Sequence, residues 1–180
     1  QVHAKDPYTF GHIQQVEKLG IMTARELGLN LSGRKKDILS AGLLLHDVGK
    51  AALKALFPAE YRRALQVVQE KQCFILDAER EVLGDFDHCR MGAELCLRWN
   101  LPSGLRDTIL HHHDPGRAKQ EKDLTAIVHT ADVLARAFGF GFAGDPYVPA
   151  LEKKAWEMLK LTWDDLEDAS RDLQQNLHKV

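Results

Sequence analysis

Cysteine is scarce in this chain. Cys73, Cys89 and Cys96 are the three present among 180 residues, and no two of them form a Cys-x-x-Cys pair. An odd count with that spacing speaks against a disulfide framework and a zinc-finger scaffold, and fits reduced thiols in a cytoplasmic protein. Long apolar runs are missing as well. None approaches the roughly 20 residues a membrane helix requires, and no signal-peptide pattern stands at the start. An excess of basic charge is also lacking, since 24 Lys and Arg face 26 Asp and Glu for a net charge of −2. Nucleic acid is therefore not an expected partner. Internal repeats, low-complexity tracts and alternating β-branched stretches are absent too. With 44% hydrophobic and 28% charged residues, the composition is that of a soluble globular domain with a real core. The first residue is not Met, and the chain reads as a domain excised from a longer protein. What it has in excess is histidine, with nine against seven Phe and three each of Met, Trp and Tyr.

The apolar spacing is helical almost throughout. Ile13, Val16, Gly20, Ala24 and Leu27 recur at steps of three and four, which predicts a first amphipathic helix. A second helix is expected from about Lys35 to Val48. Its run from Ile38 to Leu45 is apolar nearly all round, so it should be the central, buried helix, with Gly49 closing it. Pro58 opens a third. A long fourth helix is expected from Leu76 to Trp99. Pro102 suits the first turn of a fifth, and a sixth runs from about Asp123 to Phe138. The Gly139–Pro146 segment reads as a plain loop, a lid or a dimer contact. Two last helices finish the chain, with Thr162 as an N-cap. The fold class is all-α, a single helical bundle domain over residues 1–180.

Polar residues that interrupt apolar helical faces carry the chemistry. His46 and Asp47 follow three consecutive leucines. A carboxylate there is costly unless it is paired or bound to a metal; Lys50 could supply the pairing. Asp132 shares a helical face with Val128. His112 and His113 continue the stripe of Ile109. His12 lies beside Ile13, and His88 follows Asp87. Taken singly, each has an ordinary explanation as a hydrogen-bonded core residue, an ion pair or, for Asp87, a solvated helix residue. His111 points away from the inward pair, and His129 reads as core, surface or a residue behind the site. His3 and His178 lie near the ends. Taken together, five helices each bring His or Asp to an apolar face. Imidazole with carboxylate suits first-row transition metals. A bridging carboxylate flanked by imidazoles suits two ions about 3.5–4 Å apart, which lower the pKa of a bound water.

His46-Asp47 with Gly49-Lys50 resembles the signature of the HD superfamily of metal-dependent phosphohydrolases. The order His12, His46-Asp47, His88, His112-His113, Asp132 is similar to the ligand set of its HD-GYP branch, and Asp6-Pro7-Tyr8-Thr9 resembles that branch's opening helix. The stretch from Glu79 to Pro115 looks more like the HDOD branch, through Leu83-Gly84, Asp87-His88, Gly92-Ala93, Trp99-Asn100-Leu101-Pro102 and His112-His113-Asp114-Pro115. The resemblance covers about residues 6–142, leaving 149–180 as C-terminal helices.

This resemblance implies an HD-type bundle with two divalent transition-metal ions, Fe, Mn, Ni or Zn. His12, His46, Asp47 and Asp132 would hold one ion, with Asp47 bridging. Asp47, His88, His112 and His113 would hold the other. Lys50 would face the substrate phosphate as a point charge, its alternative being a solvated lysine after a helix end. The implied activity is phosphoester or phosphodiester hydrolysis of a nucleotide-like substrate in bacterial-type signal transduction. The alternative is a non-catalytic HDOD-like output module with a retained metal site, acting through a signalling protein or an upstream sensor domain. No Gly-Tyr-Pro follows His113, where Asp114-Pro115-Gly116-Arg117-Ala118 stands instead. That departure weighs against recognition of cyclic dimeric GMP. Tyr8, four residues before His12, is not a carboxylate, which argues against a third ion. Oligomeric state is left open.

Overall fold

A computed structural model of the chain describes residues 7–26, 31–140, 142–168 and 171. Every regular element among them is helical. In chain order they are α1 (Pro7–Glu26), α2 (Gly33–Leu45), α3 (Val48–Leu56), α4 (Pro58–Lys71), α5 (Ile75–Leu83), α6 (His88–Arg98), α7 (Ser103–His111), a 3₁₀ turn (Pro115–Arg117), α8 (Lys122–Ala137) and α9 (Lys153–Leu159). A further helical stretch covers 163–168. Thr162 and Asp165 start it reciprocally: Asp165 accepts from the Thr162 N–H at 2.7 Å, and the Asp165 N–H reaches Thr162 Oγ1 at 3.3 Å, which satisfies donors that a helix start leaves open. No helix among the described residues is long and apolar enough to cross a membrane.

The central helix is α8 rather than α2. Every residue from Leu124 to Ala135 is buried, and α1, α2, α7 and α9 pack around it. The expectation for α2 fails because Leu44 is 39% exposed while Ile38, Leu39 and Leu43 alone carry its large buried side chains. Polar residues concealed the role of α8, and they are matched locally. Thr130 Oγ1 donates to Ala126 O at 2.9 Å, and Thr125 and Thr108 hydroxyls lie 3.1 Å apart. Hydrogen-bonded in this way, they can be buried at modest cost. Val16, Leu19, Leu43, Ile109, Leu124, Ile127 and Val128, each fully buried, form the main core around α8. Each such side chain contributes about 1.5–3 kcal/mol. A smaller cluster, centred on Val67, Ile75 and Ala78, joins α4 to α5.

Two expected helices are broken, and both breaks serve one place. The second helix stops at Leu45, and the His46-Asp47 turn re-aims the chain into α3. Gly49 does not close a helix; it sits in α3 where that helix crosses α6. A Cβ there would stand 1.9 Å from the His88 carbonyl oxygen and 2.9 Å from the Gly92 amide nitrogen. The expected long fourth helix is interrupted at Gly84, whose φ of +67° lies outside the range L-residues favour. Asp87 then caps α6 by accepting from the Arg90 N–H at 2.9 Å. It is 1% exposed and also bound by Arg80 Nε at 2.8 Å, not a solvated helix residue.

Candidate metal centre

Three breaks in the helices deliver the histidines. His46 is the C-cap of α2, His88 is the first residue of α6, and His112 is the C-cap of α7. All three rings are fully buried. Each commits Nδ1 to a partner behind it. His46 Nδ1 donates to Leu43 O at 2.9 Å, His112 Nδ1 to Ile109 O at 2.7 Å, and His88 Nδ1 to Glu79 Oε2 at 2.6 Å. The carbonyls can only accept, so Nδ1 carries the proton in His46 and His112 and Nε2 is turned inward.

The three Nε2 atoms converge on one carboxylate. His46 Nε2 is 3.4 Å from Asp47 Oδ2. His88 Nε2 and His112 Nε2 are 3.5 and 3.7 Å from Asp47 Oδ1. Asp132 of α8 lies beside His46, with Oδ1 3.9 Å from its Nε2. His113, half-buried, sets its Nε2 3.1 Å from that of His88. His12 lies in α1, but its side chain is outside the described ones. The structure thus brings His46, Asp47, His88, His112, His113 and Asp132 together, with the two oxygens of Asp47 facing different histidines.

Lys50 is buried here instead of facing solvent. Its ammonium donates to Asp47 Oδ2 at 2.7 Å and to Ala143 O at 2.8 Å. Residues 142–146 are therefore tied to the centre through Ala143. Asp145 fixes them further, accepting from the Ile75 N–H at 2.9 Å and pairing with Arg136.

Neutral rings alone would set nitrogen lone pairs against a carboxylate, so the cluster calls for positive charge. Burial alone would raise the Asp47 carboxyl; the Lys50 ammonium and the adjacent imidazoles outweigh it and hold the group well below the usual carboxylate range. Burial would lower Lys50, but Asp47 and Asp132 keep it above its ordinary value. Burial would likewise lower His88, yet Cys89 and Glu79 push it up to about 10. His112 is raised against burial by Cys89 and Asp47. Burial would raise Cys89, and the rings of His88 and His112 bring it down to about 6. Burial and its two neighbouring rings push His113 well down, leaving a neutral imidazole. Asp47 Oδ1 and His112 Nε2 are buried without a hydrogen-bond partner among the described residues. Such orphaned atoms are rare in folded proteins, and facing each other across 3.7 Å they fit a shared ion.

Glu79 and Cys89 had no place in the reading of the sequence, and His129 was left open there between core, surface and a residue behind the site. Glu79 is fully buried and accepts from both Nδ1 and the backbone N–H of His88. Its position on the stripe of Ile75, Ala78 and Val82 was the available signal, since a carboxylate on an apolar face needs a partner. Cys89 follows His88 and is 3% exposed. His129 bridges elements, its Nδ1 donating to His112 O at 2.8 Å and its Nε2 accepting from the Glu152 N–H at 3.0 Å. It stands behind the centre and buttresses His112. His111 turns away, 3.6 Å from Asp107.

Glu79 completes a carboxylate–histidine arrangement of the kind that orients metal-bound imidazoles. Glu79→Gln keeps the shape and removes the charge. Metal affinity, measured by chelator competition, should fall about 10–100-fold with helical content retained; unchanged affinity would remove Glu79 from the centre.

A cleft of about 200 Å³ opens beside these residues, bordered by Phe74, Ile75, His113, His129, Arg136 and Glu152. Of the clustered rings, His113 is the one that reaches it.

Comparison with known proteins agrees with this architecture. A crystal structure of an HDOD domain protein of unknown function from Geobacter sulfurreducens superposes with a TM-score of 0.79 at 22% identity, covering 96% of this chain and 59% of that one. A protein of Treponema pallidum (strain Nichols), described as uncharacterized, is 30% identical over 96 residues, which are 52% of this chain and 18% of the Treponema protein. This chain thus spans less than two thirds of either relative. The HDOD domain family model matches residues 18–115, a span that includes His46, Asp47, His88, His112 and His113 and leaves His12 and Asp132 outside. With more than half of its length matched, the chain belongs to the HDOD domain family.

Proposed function

We propose that this HDOD domain is a metal-dependent phosphohydrolase acting on a small phosphodiester or nucleotide-like substrate. The observation that carries this reading is the convergence of three buried Nε2 atoms on the two oxygens of Asp47, each ring held from behind through Nδ1. His46, Asp47 and Asp132, with His12, would hold one divalent transition-metal ion; Asp47, His88, His112 and His113 would hold a second. When bound, such a pair supplies a water of lowered pKa and positive charge beside a transferring phosphoryl group.

The chain's own residues do the rest. Glu79, Leu43 O and Ile109 O fix the ring orientations, so little reorganisation is needed during reaction. Lys50 holds Asp47 ionised and in place. His113, neutral and bordering the cleft, stands between the buried centre and the space a substrate can enter.

A second reading is an output module whose metal serves stability and partner contacts. Burial of Lys50 favours it, because an ammonium donating to both Asp47 and Ala143 O is less available to a phosphate. One experiment separates the two. Protein purified without chelator is assayed with bis(p-nitrophenyl) phosphate and a panel of nucleotide phosphodiesters and monoesters, in Mn(II), Fe(II), Ni(II) and Zn(II). Hydrolysis that disappears in Asp47→Ala is expected. Metal binding without turnover of any of these esters would overturn the enzyme reading in favour of the output module.

A further inference from the structure

Cys89 lies at the centre, and neither the resemblance nor the family match gives it a role. One ring nitrogen each from His88, His112 and His113 and the sulfur of Cys89 lie within 4.8 Å of one another. His88 and His112 spend Nδ1 on Glu79 and Ile109 O, which leaves Nε2 for a ligand. His112 Nε2 is fully buried and has no hydrogen-bond partner among the described residues. Donors about 2.0–2.3 Å from one zinc ion stand about 3.3–3.8 Å apart at tetrahedral angles. The four atoms here need shifts of about an ångström or less to close on an ion.

We propose that Cys89 is a thiolate donor to the ion held by His88, His112 and His113. This inference rests on the metal-dependent reading above. It changes the chemical class of that site from nitrogen and oxygen donors alone to a sulfur-containing set. Thiolate ligands select Zn(II), Co(II) and similar ions over Mg(II) and Mn(II), which favour oxygen. The sulfur binds deprotonated, and any proton it carries leaves to water on metal uptake. The neighbourhood suits such a ligand. Cys89 sits in the first turn of α6, whose N-terminal end favours negative charge, and α6 is locked against α3 at Gly49, so the sulfur is placed by packed helices and not by a loop.

The test uses the reduced, full 180-residue chain loaded with Co(II). The wild type should show a near-ultraviolet thiolate-to-cobalt charge-transfer band, kept in Cys73→Ser and Cys96→Ala and lost in Cys89→Ser. Affinity for Zn(II) in Cys89→Ser should drop by more than the about 10–100-fold that removal of an orienting partner costs. X-ray absorption of the zinc-loaded wild type should show one sulfur at about 2.3 Å among nitrogen and oxygen neighbours, a measurement that decides even if Cys89→Ser does not fold. A shell of nitrogen and oxygen only, or a band that survives Cys89→Ser, overturns the inference and leaves the hydrolase reading standing. Sulfur ligation without phosphoester turnover does the reverse. Absence of any bound ion overturns both.

Discussion

Asp47→Asn is expected to cost about 3–5 kcal/mol of folding stability, to abolish metal binding and to bring phosphoester turnover to background. The stability loss follows from Lys50. That residue is 7% exposed, and its ammonium relies on Asp47 Oδ2, 2.7 Å away. Removing one partner of a buried ion pair leaves the other charge uncompensated, which costs about that much. The binding loss follows from the position of Asp47, whose oxygens face His46 on one side and His88 with His112 on the other. An amide keeps the shape but brings no negative charge to balance two cations. Denaturant unfolding of the metal-free protein isolates the first effect, and elemental analysis the second. A variant as stable as the wild type would show that Lys50 finds its compensation elsewhere.

Gly49→Ala is the second large effect, and it acts through the backbone. The added methyl would stand 1.9 Å from the carbonyl oxygen of His88 and 2.7 Å from its carbonyl carbon. No rotamer relieves that overlap, because the obstructing atoms are main chain. The α3 and α6 helices must separate, and overpacking of this kind costs about 3 kcal/mol or more. The same separation carries His88 away from Asp47, so metal affinity should fall together with thermal stability. Ala at Gly33 makes a suitable control, since nothing lies within 4 Å of the added atom there. A Gly49→Ala protein with wild-type melting temperature would contradict the tight crossing.

How much of this was legible beforehand differs between residues. The all-helical class was readable because steps of three and four dominate the apolar spacing. The His and Asp positions were readable because each interrupts an apolar face, where a polar side chain must be matched. The breaks around the centre were harder. Gly49 looked like a helix stop because glycine often follows a helix; its packing against α6 depends on a crossing that no local pattern encodes. The role of α8 was hidden by Thr125, His129, Thr130 and Asp132, polar residues in the most buried helix. Glu79 and Cys89 are not marked by histidine spacing, because they meet the rings through contacts across helix termini. Glu79 did carry a signal, a carboxylate on the buried stripe of α5. Cys89 carried none beyond adjacency to His88.

The central claim is that the carboxylate of Asp47 and the histidines around it form a metal centre. Metal content of the protein purified from cells without chelator tests it most directly. About two divalent transition-metal ions per chain are expected, falling to none in Asp47→Asn. A wild-type protein that emerges metal-free and fails to take up Zn(II), Mn(II), Fe(II) or Ni(II) on titration would contradict it.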